Sequence, residues 1–151
     1  LPRRETEADR IANLKVAESF CNFMSEAFGR VMPHRLPMRS NYQHDVNFEA
    51  RADDGSLKFS FQTKCRRINF GQYSTMFIDL KKVEAAFKRW TETGKPVFWA
   101  IEFDDGISAY ADLCWNSEDR YTGKGGRLDR SDPNDIDDVL HIPIDQFRRW
   151  K

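Results

Sequence analysis

A chain of 151 residues has the length of one ordinary domain, and 40% hydrophobic content with twelve Phe and four Trp excludes a disordered polymer. No apolar run approaches the ~20 residues that span a bilayer, and the opening LPRRETEADR lacks the apolar centre of a secretory signal. The formal net charge is zero, yet residues 1–100 carry 17 Lys and Arg against 12 Asp and Glu, and residues 101–151 carry 7 against 12. A basic face can therefore coexist with an acidic tail, which keeps a polyanionic partner open.

In chain order, Glu7–Phe28 reads as an amphipathic helix with Leu14, Ala17, Cys21, Met24 and Phe28 on one stripe and Gly29 as its stop. A loop holding Pro33 and Pro37 follows. Residues 41–50 alternate, with Tyr42, His44, Val46, Phe48 and Ala50 on one side and Gln43, Asp45, Asn47 and Glu49 on the other. That is a half-buried strand. Asp53–Gly55 is a tight-turn signal, and LKFSFQTKC alternates again, with Leu57, Phe59, Phe61, Thr63 and Cys65 opposite Lys58, Ser60, Gln62 and Lys64.

A short strand is expected around Thr75–Ile78. Asp79 then caps a helix to Thr93 with Leu80, Val83, Phe87 and Trp90 inward, ended by Gly94. PVFWAIEF reads as a strand buried on both faces, and a second DDG, Asp104–Gly106, turns it into ISAYADL. Residues 114–138 read as a long loop, with GKGGR (Gly123–Arg127) too poorly spaced for a phosphate loop. A short strand and a short helix close the chain. Trp90, Trp99 and Trp115 are expected in the core, and Trp150 against the sheet. The fold class is α/β, a single domain over 1–151: an αβββαβ core over about 7–113 with a mixed sheet flanked by helices, then an extension over 114–151 with a hairpin strand, long loop and short terminal helix.

If Asp54 and Gly55 are the central pair of a two-residue hairpin turn, opposed positions sum to 109. Phe48 then faces Phe61, Asn47 faces Gln62 and Asp45 faces Lys64, with Cβ atoms ~4.5–5.5 Å apart. Asp45, Gln62 and Lys64 converge on one polar face. An Asp, then Gln-x-Lys on the neighbouring strand after a helix, resembles the PD-(D/E)XK nuclease superfamily, the restriction-endonuclease-like fold, in a variant with Gln at the acidic position and His44 where the motif's Pro stands.

The resemblance implies a nuclease that hydrolyses phosphodiester bonds with a divalent cation, Mg²⁺ or Mn²⁺, and acts on nucleic acid, DNA by preference. It implies Asp45, Gln62, the Thr63 carbonyl and Glu18 as metal-site residues, with Lys64 orienting or activating the attacking water. Hard oxygen donors of this kind suit Mg²⁺, which keeps several waters, and a lysine point charge suits developing negative charge.

Arg66, Arg67, Lys81 and Lys82 are expected to meet the phosphate backbone, while Lys88 and Arg89 solvate the outer helix face. Tyr121, Lys124, Arg127 and Arg130 are a lesser candidate contact. The bland alternatives stand beside these: an Asp–Lys pair on a hairpin is ordinarily a surface ion pair worth ~0–1 kcal/mol. Gln62 equally fits a degenerate member that binds nucleic acid or a protein without cleavage, and the acidic final third fits an interaction protein. A homodimer is compatible with cutting two strands. Neither a membrane nor a small-molecule cofactor is expected. Cys21, Cys65 and Cys114 are odd in number and far apart, so they read as buried thiols of a reducing, cytoplasmic compartment.

Overall fold

A computed structural model describes residues 6–37, 46–126 and 136–151. The first helix, α1 (Glu7–Phe28), runs as its periodicity predicts. Its start is fixed by a capping box in which the Thr6 hydroxyl accepts from the Asp9 amide and the Asp9 carboxylate accepts from the Thr6 amide, both at 3.1 Å. The buried stripe is Val16, Ala17, Phe20, Cys21 and Met24. Leu14, expected inside, is 41% exposed, because the sheet meets the row through Phe20 rather than the row through Leu14.

Strands β1 (Val31–Arg35), β2 (Phe48–Ala52) and β3 (Leu57–Cys65) form an antiparallel meander, and β5 (Val97–Glu102), β6 (Ser108–Asp112) and β9 (Arg148–Arg149) complete a six-stranded sheet in the order β1-β2-β3-β5-β6-β9. Among the described residues of this sheet only the β3–β5 pair is parallel. The segment with Pro33 is thus a strand rather than a loop. It lies at the sheet edge, where a missing N–H costs no ladder bond. Strand β4 (Thr75–Asp79), counted from sequence as the third core strand, instead joins β8 (Ile136–Pro143) and β7 (Tyr121–Gly126) in a second antiparallel sheet. The stretch read as a long loop therefore carries most of a hairpin, and the terminal helix reduces to a 3-10 turn, Ile144–Gln146, before β9.

Helix α2 (Leu80–Thr93) is the crossover between β3 and β5. Asp79 caps it through the Lys81 amide at 2.9 Å, and Gly94 closes it. Val83 and Ala86 are its buried residues, whereas Phe87 and Trp90 are 39% and 45% exposed, their rings 6.2 Å apart. Trp99 is buried; Trp115, also expected in the core, is exposed beneath Arg120, and of the cysteines expected inside only Cys21 is buried, Cys65 being exposed at the end of β3.

Both faces of the main sheet are covered. Against α1, Phe20 is the hub of an aromatic cluster, 5.1–6.0 Å from the rings of Phe59, Phe61, Phe98, Tyr110 and Trp150. The opposite face packs Val97, Trp99 and Ile101 against Val83 and Ala86 of α2 and Met76, Ile78 and Ile142 of the second sheet.

Candidate active site at the end of β3

The two DDG segments make the same three-residue turn. Gly55 N–H donates to the Ala52 carbonyl at 2.9 Å and Ala52 N–H to the Ser56 carbonyl at 2.9 Å; Phe103, Gly106 and Ile107 repeat the pattern at 3.1 and 2.8 Å. The last residue needs positive φ, +86° at Gly55 and +82° at Gly106, which only glycine adopts without strain. This turn is one residue longer than the sequence reading supposes and would slip β2 against β3 by one. A bulge between Ala50 and Arg51 restores the count. Beyond it Ala50 pairs with Phe59, Glu49 with Ser60 and Phe48 with Phe61, the register expected from the apolar pattern. The Phe48 and Phe61 rings stack at 5.3 Å.

That register puts Phe59, Phe61 and Thr63 on the α1 side and Ser60, Gln62 and Lys64 on the α2 side. Gln62 is 5% exposed. Its Nε2 donates to the Lys82 carbonyl over 3.5 Å, and its Oε1 accepts no hydrogen bond among the described residues. Lys64 is exposed at the strand's end. Thr63 is held from both sides: its amide donates to Asn47 Oδ1 at 3.1 Å, Asn47 Nδ2 donates to Thr63 Oγ1 at 3.2 Å, and Thr63 Oγ1 donates to Asn13 Oδ1 of α1 at 3.0 Å. Asn47 thus engages Thr63 rather than Gln62. Its side chain continues the β2–β3 ladder beyond the point where the backbone pairing stops.

Asp45 lies outside the described residues. The structure does not bring Glu18 to this group: it is exposed, on a helix face turned away from Thr63, and Asn13 holds the α1 position that faces the motif. Arg66 folds back over the Phe77 ring at 5.3 Å and donates through Nη2 to the Phe77 carbonyl at 3.0 Å, with no partner for its Nε among the described residues. Arg67 and Lys81 are exposed. Lys82 is half-buried in the first turn of α2; burial, with the charges of Lys64 and Arg66 adding, pushes its ammonium down to about 8, against a smaller opposing pull from Asp79. The same burial lowers the Arg66 guanidinium from its ordinary value. Two lysines in the first turn oppose the helix dipole, an arrangement that costs stability and attracts anions. The Lys82 ammonium makes no hydrogen bond among the described residues.

Arg89 is not on the outer helix face as expected. It reaches the sheet, pairs with Glu49 and donates to Ser60 Oγ at 3.1 Å, while Arg51 holds Glu49 from the other side at 3.1 Å. That network buries Glu49 to 8% exposure and removes Arg89 from any nucleic-acid surface.

For a divalent cation, Gln62 Oε1 is a hard oxygen donor of the type such ions take. Among the described residues no three His, Cys, Asp or Glu lie close enough to hold a metal. Among the described residues no helix is long and apolar enough to cross a membrane.

A helix, an antiparallel meander, a crossover helix and a parallel strand, with Gln-x-Lys at the end of the third strand, define a restriction-endonuclease-like domain. The Hjc Holliday junction resolvase of Archaeoglobus fulgidus shares the fold, with a TM-score of 0.50 over 85% of this chain and 86% of that one at 8% identity. A family model described as "Phage putative PDDEXK endonuclease" matches residues 1–150, and the chain belongs to that family. None of the curated proteins matches it. The family makes it a PDDEXK-type nuclease, of a class that generally uses divalent metals.

Proposed function

We propose that the protein cleaves DNA phosphodiester bonds at the end of β3 with Mg²⁺ or Mn²⁺ bound there. The observation that carries this reading is the meeting of Gln62, Lys64, Arg66 and Lys82 on one side of the sheet, where a cationic group desolvated in the folded chain awaits an anion. Asp45, Gln62 Oε1 and the Thr63 carbonyl would hold the cation, whose chemistry is Lewis-acid polarisation of a phosphoryl oxygen. Glu18 has no part in the set.

Lys64 orients the attacking water and balances the negative charge that develops. Lys82 and Arg66 draw the phosphate to the motif, and the exposed Lys81 and Arg67 extend the contact along the backbone. The Asn47–Thr63–Asn13 bridge fixes the strand between Gln62 and Lys64. DNA is favoured over RNA because the structural neighbour is a Holliday junction resolvase. The uncovered Phe87–Trp90 pair is the apolar surface that a second copy of the chain would cover, and sedimentation velocity tests that.

The test is cleavage of duplex, branched and single-stranded DNA and structured RNA in EDTA, Mg²⁺ or Mn²⁺. Metal-dependent cutting of DNA is expected, falling about 10²–10³-fold in Lys64→Ala and further in Asp45→Ala. A folded protein that binds DNA and cuts nothing under any metal would replace this reading with the degenerate one that Gln62 allows.

A further inference from the structure

The second sheet carries a feature that cleavage chemistry leaves unused. Phe77 of β4 pairs with His141 of β8, and His141 pairs with Tyr121 of β7. The three side chains therefore form one row across three strands, on the face away from Met76, Ile78 and Ile142. Tyr121 and His141 stack at 4.7 Å with 13° between their planes, and Phe77 lies 6.0 Å from His141. Thr75 Oγ1 sits 3.0 Å from His141 Nδ1 and fixes the ring. Arg66 begins the row, over Phe77 and one residue past the strand that bears Gln62 and Lys64. At the far end Tyr121 is 53% exposed, and its hydroxyl makes no hydrogen bond among the described residues.

A Tyr–His pair across two strands is ordinarily a hairpin stabiliser. Three observations go beyond that. The row is continuous with the motif strand, and its inner end is cationic through Arg66, with Lys64 and Lys82 beside it. Its outer end is an aromatic ring stacked, among the described residues, on one face only. The next position of β7 on that face, Gly123, has no side chain, and a Cβ there would meet His141 Nε2 at 3.3 Å. Cations that hold phosphates, followed by an open aromatic face, are the elements that bind an unpaired nucleotide, because every base presents a π surface.

We propose that this row is a stacking platform for an unpaired base of a DNA strand whose phosphates lie on Lys64, Arg66 and Lys82, the base resting on Tyr121. The platform rests on the nuclease reading of the adjoining site and specifies its substrate: DNA with an unpaired base a few nucleotides along the strand from the scissile phosphate.

The experiment is equilibrium binding in EDTA, which separates binding from cutting, using a duplex with a central unpaired 2-aminopurine and the fully paired duplex of the same sequence. The wild-type protein is expected to prefer the first and to quench its fluorescence. Tyr121→Ala should lose on the order of tenfold affinity for the unpaired duplex while the paired one is bound as before, and Tyr121→Trp should restore both preference and quenching. Circular dichroism confirms that each variant is folded. Equal affinity of wild type for the two duplexes, or Tyr121→Ala retaining the preference, sinks the platform and leaves the nuclease reading standing. Wild type binding neither duplex, and cutting no DNA, overturns both.

Discussion

The two sides of β3 are built from opposite materials. Phe59 and Phe61 face α1 in a buried aromatic cluster centred on Phe20, with arginines only at its margin, over Phe48 and Phe23. One residue over, Ser60, Gln62 and Lys64 face α2 across Arg89, Glu49 and Lys82, buried or half-buried polar groups each answered by a specific partner or left desolvated. A strand needs only one of these faces to be held in place. The aromatic side supplies that hold, so the other side is free to carry groups that destabilise the fold and serve chemistry.

Breaking the aromatic side should cost the most. Phe20→Ala is expected to lower unfolding free energy by about 3–5 kcal/mol in urea titrations, with the cleavage rate per folded molecule unchanged. A loss of activity in excess of the unfolded fraction would show that the two sides are not separable.

On the polar side, Glu49→Gln leaves Arg89 facing a neutral amide in a half-buried setting. It should cost about 2–3 kcal/mol, partly recovered by adding Arg89→Met, since removing both charges removes the unmet one. An additive double mutant would mean that the pair is not coupled.

The smallest effect should run the other way. Lys82 ionises at about 8 in the folded chain and at its ordinary 10.5 when unfolded. Between those values the unfolded chain holds a proton that the folded chain lacks, so this group lets stability rise with pH over that window, and below about 8 its cost is complete. In metal-free buffer Lys82→Met should therefore be more stable than wild type by about 1–2 kcal/mol at pH 7, the difference closing toward pH 10.5. A difference that does not vary with pH would assign the gain to packing instead.

Much of this was legible in the chain. The ends of α1, both DDG turns and the alternation of β3 follow from local chemistry, and the register follows from matching apolar faces. That register emerges by two departures that cancel, a longer turn and a bulge, because pairing Phe48 with Phe61 outweighs the regularity of the ladder. The buried stripe of α1 was legible in Ala17, Cys21 and Met24, but not at its edge, where Val16 and Phe20 are buried and Leu14 is left exposed because only the sheet sets that boundary. Strand β7, YTGKGG, has poor intrinsic strand propensity and forms against β8, a neighbour in space. The Asn13–Thr63–Asn47 bridge joins residues 50 and 16 positions apart, a distance over which periodicity carries no information.

Trp150 has a consequence for synthesis. Its indole N–H donates to Ser19 of α1 across 131 positions of sequence, its ring covers Phe20, and β9 closes the sheet edge beside Tyr110. The pocket around Phe20 therefore stays open on a nascent chain until residue 150 has left the ribosome, on the order of ten seconds after α1 at ~5–20 residues per second. During that interval the greasiest surface of the molecule is exposed to whatever else the cell holds.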